Sequence, residues 1–217
     1  MKLLRHQTHP LHDRLVWQCA SLLLAYPDER HADRLRTVDE LLADQNGAAP
    51  DLLARTATAL RALDPMRAAA DYVDTFDMRR RCTMYLTYWT AGDTRNRGSH
   101  MLAFAQAYRE AGVEPPKGEA PDHLPVVLEF AATVDPAAGR RLLEEHRVPI
   151  EVLREALAER GSPYADVIAA VGWTLPGATD RDVGRARRLS GDGPPTESVG
   201  LQPFTLTVPP RRSAGGE

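Results

Sequence analysis

The segment Pro121-Asp-His-Leu-Pro125 sets an acid and a histidine side by side between two prolines. An imidazole changes its charge near neutral pH, and prolines restrict the backbone that would hold such a pair. The apolar run that follows predicts a helix, with Asp122 as its N-cap accepting from the N–H of Leu124. His123 falls at the edge of the apolar face of this helix, and Glu129 points outward. The segment is either a helix start with a packing histidine or a rigid recognition element.

A second group of polar and aromatic residues spans positions 72–81. Tyr72 and Phe76 are one helical turn apart, which indicates a buried face, and Asp74 falls on another face. Asp77 is followed by three arginines at positions 79–81. Such a run can bind phosphate or nucleic acid, but the neighbouring acids favour local ion pairs and helix caps.

Three histidines near the N-terminus have a spacing that could suggest a metal site. They are His6, His9 and His12, but Pro10 interrupts any helix that would align them, so a solvated arm is the simpler interpretation. A helical metal-dependent hydrolase that uses these histidines with Asp122 and His123 stays an alternative.

Other catalytic signatures are absent from the sequence. It contains no phosphate-binding loop, no GxGxxG, no GxSxG and no HExxH motif. The two cysteines, Cys19 and Cys82, exclude a disulfide framework and favour a reducing cytoplasm. We expect a protein that is not an enzyme and needs no metal or other cofactor.

The composition predicts the elements that must position these residues. The 217 residues include 31 Ala and 26 Leu but only 14 Val and 2 Ile, which favours an all-α fold. The net charge of −3 argues against nucleic-acid binding. No apolar run reaches the 18 or so residues of a membrane span, and the N-terminus lacks the apolar core of a signal peptide.

Helix boundaries are well marked. Asp64-Pro65, Asp135-Pro136 and Ser162-Pro163 each set a capping side chain before a proline at a first helical position. Apolar spacing predicts helices after Pro65, from Met101 to Gly112, after Leu124 and after Tyr164, and further helices near 13–25, 31–44, 51–63, 83–90, 136–146 and 149–160.

The composition divides the chain at about residue 175. Residues 1–175 predict a single compact helical domain, and residues 176–217, rich in Pro and Gly, predict a flexible tail. Within residues 101–173, 12 acidic residues outnumber 7 basic ones, so this half of the helical body favours a basic partner.

Several of these segments, in this order and spacing, resemble the NarJ family of nitrate reductase molybdenum cofactor assembly chaperones, also called the delta subunit. The segments are Leu24-Ala-Tyr-Pro27, Tyr72 with Phe76 and Asp77, Leu86-Thr-Tyr88, Gly92-Asp-Thr-Arg95 with Arg97-Gly98, Pro121-Asp-His-Leu-Pro125, Leu128-Glu-Phe130 and Ser162-Pro-Tyr164. The family is related to the TorD and DmsD redox-enzyme maturation proteins, which are all-helical and share an acid-histidine motif like Asp122-His123.

The resemblance implies a function that composition alone does not. A protein of this family would bind the N-terminal leader of the catalytic (alpha) subunit of membrane-bound nitrate reductase in the cytoplasm. It would hold the apoenzyme until the molybdenum cofactor is inserted, and molybdenum cofactor biosynthesis proteins are possible further partners. Alternatives are a chaperone for a different molybdoenzyme and a nucleotide-binding chaperone, although no phosphate-loop motif supports the latter.

The predicted peptide-binding residues are Asp122, His123 and Glu129, with Tyr72, Asp74, Phe76 and Asp77 as second choices. Only Asp122 and His123 come from the family motif. The others follow from face and charge, because carboxylates would attract basic leader residues and aromatic side chains would pack on its apolar face.

Overall fold

The structure, a computed structural model, describes residues 10–92, 97–177 and 179–193. These residues contain eleven α-helices and no strand, which confirms the predicted all-α fold. The helices are α1 (Pro10–Leu24), α2 (His31–Leu42), α3 (Ala48–Arg61), α4 (Pro65–Tyr72), α5 (Tyr88–Ala91), α6 (Arg97–Glu110), α7 (Leu124–Thr133), α8 (Pro136–Glu145), α9 (Arg147–Glu159), α10 (Tyr164–Trp173) and α11 (Asp180–Asp192). A π-helical turn (Val73–Asp77) continues α4, and a 3₁₀ turn (Arg80–Cys82) follows it.

Helix α1 lies at the centre of the helical body. It packs against α7 and α10 and also contacts α2 and α3. Its inward side chains include Val16, Leu23 and Leu24, which are buried in the main apolar core with Leu128 of α7 and Ile168 of α10. This burial, together with that of the other core side chains, supplies the main driving force for the fold.

A buried ion pair joins α1 to α8. Asp13 of α1 accepts from a guanidinium N–H of Arg140, which also donates to the carbonyl of Thr174 at 2.8 Å. The same guanidinium lies 5.0 Å from the centre of the Trp17 ring, and Trp17 Nε1 donates to Thr174 Oγ1 at 2.8 Å. One arginine therefore fixes α8 against α1 and the end of α10.

Two of the three predicted Pro-linked caps are confirmed. Asp64 accepts from the N–H of Arg67 at the start of α4, and Asp135 accepts from Ala137 and Ala138 at the start of α8. The third is wrong, because α10 begins after Pro163 and no side chain caps it.

A close helix contact depends on Gly139 of α8. A Cβ atom at this position would lie 2.3 Å from Cβ and 2.4 Å from Cα of Ala131 in α7. No other residue type fits without moving one of the helices. Helices α7 and α8 are joined by a short turn, and this contact sets how closely they pack.

The helix predicted near 83–90 is mostly wrong. Residues 83–87 precede the single-turn helix α5, and Tyr85 forms an isolated antiparallel β-bridge with His123. Leu86 N donates to the carbonyl of Asp122 at 3.1 Å, and Leu124 N donates to that of Met84 at 2.9 Å. These long-range backbone hydrogen bonds replace the helical ones that local spacing favoured.

The C-terminal region also differs from the predicted flexible tail 176–217. Residues 180–192 form α11, which begins with a capping box between Thr179 and Asp182 and packs against α9. The rest of the predicted tail, residues 194–217, lies outside the described residues. Among residues 10–92, 97–177 and 179–193, no helix is both long and apolar enough to cross a lipid bilayer.

Candidate functional site

Asp122, the acid of the acid-histidine pair, is completely buried, with 0% of its surface exposed. Its Oδ2 accepts from the backbone N–H of Thr87 at 3.1 Å and from the Thr87 hydroxyl at 2.6 Å, and it lies 3.7 Å from Nη2 of Arg97. A carboxylate in this position cannot contact a peptide on the surface. It holds the loop before α7 against the segment before α5.

The capping role predicted for Asp122 is wrong. His123 occupies the N-cap position of α7, and no side chain caps this helix end. The N–H of Leu124, which Asp122 was expected to cap, donates to Met84 instead. The β-bridge therefore satisfies a helix-start donor that sequence reasoning assigned to a carboxylate.

His123 is largely buried, with 14% of its side chain exposed. Its Nδ1 lies 2.8 Å from Oε2 of Glu119, and its ring lies 5.1 Å from that of Tyr85. Burial lowers the pKa of His123 below its ordinary value of 6.5, although the charges of Glu119, Asp122 and Asp77 oppose the shift. Desolvation therefore favours the neutral imidazole.

Accessible groups surround this histidine. Tyr85 is 38% exposed, and half of the Glu119 side chain is exposed. Burial raises the pKa of Tyr85, and the charges of Glu119 and Asp77 act in the same direction. We call the surface formed by Asp77, Tyr85, Glu119 and His123 the His123 surface.

Arg97 supports the His123 surface from the side of α6. Its guanidinium carbon lies 5.0 Å from the centre of the Tyr85 ring, within the range of a cation–π contact. Its Nε donates to the Thr87 hydroxyl at 3.3 Å. Sequence reasoning did not assign Tyr85, Thr87, Arg97 or Glu119 to the site. The signal for Tyr85, Thr87 and Arg97 was their place in or beside the motifs Leu86-Thr-Tyr88 and Arg97-Gly98.

Tyr72 and Phe76 belong to the core. Their ring centres lie 4.8 Å apart, Tyr164 packs against both, and the Tyr72 hydroxyl donates to the carbonyl of Leu24 at 3.0 Å. Burial raises the pKa of Tyr72 far above its ordinary value. Neither ring is available to a surface ligand in this arrangement.

Asp74 does not belong to the His123 surface. Asp74 is exposed and pairs with Arg79 at 3.1 Å and with Arg160 at 3.3 Å, while Arg81 lies 3.4 Å from Glu159. The expected local ion pair is therefore present for Arg79, whereas Arg81 pairs with a residue of α9. Asp74 also lines a cavity of about 520 Å³ between α3, α4 and the turn that joins α9 to α10.

Glu129 lies apart from the His123 surface. It is exposed on α7, as predicted, and lines a shallow groove of about 180 Å³ at the end of α6. Glu114 and apolar side chains that include Val126 and Val134 form the rest of this groove. The seven predicted residues therefore do not form one site. Asp122 is a buried anchor, Tyr72 and Phe76 belong to the core, and the other four residues lie on three separate surfaces.

The metal-dependent hydrolase considered as an alternative would use histidines that lie only partly within the described residues. His6 and His9 lie outside the described residues. In the part of the chain that the structure describes, no three His, Cys, Asp or Glu side chains are grouped so that they could hold a metal ion.

Known proteins share both the sequence and the fold of this chain. The family described as nitrate reductase delta subunit matches residues 39–170. The nitrate reductase-like protein NarX of Mycobacterium tuberculosis is 64% identical over 157 residues, which are 72% of this chain but 24% of NarX, so the chain spans about a quarter of that relative.

Two further proteins are similar over most of their own length. The probable nitrate reductase molybdenum cofactor assembly chaperone NarJ of Bacillus subtilis is 30% identical over 156 residues, 71% of this chain and 85% of NarJ. The crystal structure of a redox enzyme maturation protein from Archaeoglobus fulgidus matches with a TM-score of 0.54 and 25% identity, covering 80% of this chain and 97% of that one. The chain therefore belongs to the nitrate reductase delta subunit family, the family of the NarJ assembly chaperones.

Proposed function

We propose that this protein is a chaperone that binds the N-terminal leader of the catalytic subunit of nitrate reductase and supports insertion of the molybdenum cofactor. Family membership supports the chaperone role, and the names of the NarJ relatives support nitrate reductase as the client. The protein would act in the cytoplasm, without catalysis of its own, and molybdenum cofactor biosynthesis proteins would be its further partners.

The His123 surface is the observation that carries the proposed leader site. Asp77 and Glu119 provide accessible carboxylates beside the exposed ring of Tyr85. Carboxylates attract Lys and Arg side chains, and a partly exposed aromatic ring packs against both apolar groups and guanidinium planes. A leader that combines basic and apolar residues would satisfy both features.

Asp122 has a positioning role in this proposal. Its carboxylate holds Thr87 and the β-bridge between Tyr85 and His123, and so keeps Tyr85 and His123 in place. Glu129 and Asp74 stay predicted contacts for parts of the leader that extend beyond the His123 surface.

Calorimetric titration with a synthetic leader peptide of the nitrate reductase catalytic subunit tests the proposal. We expect Glu119→Gln and Asp77→Asn each to weaken binding about threefold to tenfold, because each removes one accessible charge. Glu40→Gln makes the same change of charge on the exposed face of α2 and should leave the affinity unaltered. No binding by the unmodified chain, or equal losses in all three variants, would contradict the proposal.

A leader peptide from a second molybdoenzyme tests the alternative client. The proposed function requires the nitrate reductase leader to bind more tightly than the second peptide under the same conditions. The reverse order would make the protein a chaperone for the other enzyme.

A further inference from the structure

Helix α11 covers an apolar groove that α5 and α9 form. Tyr88 and Trp89 of α5 and Val148 and Val152 of α9 make a small core cluster of their own, separate from the main core. We call the surface formed by these four residues the α11 groove. Without α11, this groove would present two aromatic and two aliphatic side chains to solvent.

Two of the described side chains of α11 contact this cluster. Ala186 is buried and Leu189 is partly buried against the groove, and the helix also contains Gly184 and Gly191. Each glycine lowers the stability of a helix by about 1 kcal/mol relative to alanine. The capping box at Thr179 allows α11 to form as a distinct helix, but its two glycines lower the stability of that helix.

The charges of α11 and α9 are complementary. Arg181, Arg185 and Arg188 of α11 are exposed. In α9, Glu155 follows Val152 by three residues, so it continues the stripe that contains the groove residues. Glu159 follows Glu155 by four residues and pairs with Arg81. The occupant that the chain itself supplies is thus a helix with four arginines and three aspartates, and it places small and aliphatic residues against the groove.

One polar group of the groove has no partner even when α11 is bound. Trp89 is 1% exposed, and its indole Nε1 makes no hydrogen bond within the part of the chain that the structure describes. A buried indole N–H normally has an acceptor, and leaving it unpaired costs about 1–3 kcal/mol. A different helix that placed an acceptor beside this N–H would gain a hydrogen bond that α11 does not make.

From these observations we propose that α11 is a displaceable cover, and that the α11 groove binds a cationic amphipathic helix of the client in exchange for it. The proposal rests on the proposed function in one respect, because it takes the client as the source of the helix. Binding of the client helix would then be weakened by the fraction of molecules in which α11 is closed.

Two substitutions in α11 of the full chain should act in opposite directions. Ala186→Asp introduces a carboxylate against the apolar groove and should release α11. Gly184→Ala should strengthen α11, because a Cβ at position 184 has only Arg188 Nη1 nearby, at 3.7 Å. Gly191→Asp is the matched control, since it adds the same carboxylate at an exposed position of the same helix with no atom within 4 Å.

The first probe is a fluorescent synthetic peptide of residues 179–193. If α11 is closed in more than about nine-tenths of the molecules, Ala186→Asp should bind this peptide about tenfold more tightly than the unmodified chain. Gly184→Ala should bind it about fivefold more weakly, and Gly191→Asp should match the unmodified chain. Equal affinities for all four proteins would overturn the proposal. Gly184→Ala keeps the test decisive if Ala186→Asp fails to fold.

The second probe is the synthetic leader peptide of the client. The same order of affinities supports the exchange of α11 for the client helix. If the leader binds all four proteins equally, the proposed function stands and the exchange is overturned. If the leader binds none of them while the 179–193 peptide keeps the expected order, the exchangeable groove stands and the proposed client is wrong.

Discussion

A single carboxylate oxygen of Asp122 accepts two hydrogen bonds from Thr87, one from its backbone N–H and one from its hydroxyl, and neither residue has any exposed surface. The two residues are 35 positions apart in the chain. Their contact holds the start of α7 beside the segment that leads into α5. The acid of the family motif is thus part of the interior, and in the proposed function it acts on the leader indirectly.

Asp122→Ala should therefore destabilise the fold. The substitution leaves two buried donors of Thr87 without an acceptor, so the free energy of unfolding should fall by about 2–4 kcal/mol. Glu40→Ala, at an exposed position of α2, should change it by less than about 0.5 kcal/mol. Urea denaturation of both variants measures the difference, and equal stability would mean that the Thr87 contact contributes nothing.

Local sequence patterns predicted most of the helices. They failed where contacts between residues far apart in the chain determine the structure. Asp64 and Asp135 act as caps because the aspartate, the proline after it and the first N–H groups are all within a few residues. The outward position of Glu129 likewise follows from helical spacing alone. Asp122 also precedes a helix and a proline, but its carboxylate accepts from Thr87, which no local pattern could indicate.

Helix α11 is an element that the local sequence did not predict. Its sequence is polar and contains two glycines, and the region was predicted to be part of a flexible tail. Its contact with α9 and α5 depends on a groove made by residues more than 25 positions earlier. The candidate site could be predicted only as a set of motifs. Glu119, Tyr85 and Arg97 lie near His123 and Asp122 because of the β-bridge. They do not share one helix.

Gly139→Ala should destabilise the protein although alanine favours helices. The new methyl group would overlap Ala131 at 2.3 Å, so α7 and α8 must separate. We expect a net loss of about 1–3 kcal/mol of unfolding free energy. Gly172→Ala is the matched control, because position 172 in α10 has no atom within 4 Å and the substitution should be neutral or stabilising. The thermal unfolding midpoint should fall in Gly139→Ala but not in Gly172→Ala, and an equal fall in both variants would contradict the close contact.

Stability should depend on pH through the buried histidines. Burial lowers the pKa values of His31, His123 and His146 in the folded protein below 6.5, so the unfolded chain binds more protons as the pH falls through that value. The free energy of unfolding should therefore be lower at pH 5.5 than at pH 7.5. His146→Gln should reduce this difference, and His12→Gln reports the general effect of removing a histidine. A stability that rises as the pH falls from 7.5 to 5.5 would contradict the direction of these shifts.

The salt dependence of leader binding should distinguish the residues that contact the leader from the residues that position those contacts. Exposed charges are screened beyond about 8 Å at physiological ionic strength, so binding to the unmodified chain should weaken as salt rises, while apolar contacts keep part of the affinity. Glu119→Gln removes an exposed charge and should reduce both the affinity and its dependence on salt. Asp122→Asn should reduce the affinity but keep the salt dependence, because the buried carboxylate acts through Thr87 and the β-bridge. Titrations of the leader peptide at two salt concentrations measure both quantities. If Asp122→Asn changes the salt dependence as much as Glu119→Gln does, Asp122 must reach the leader, and the buried arrangement cannot be the one that binds it.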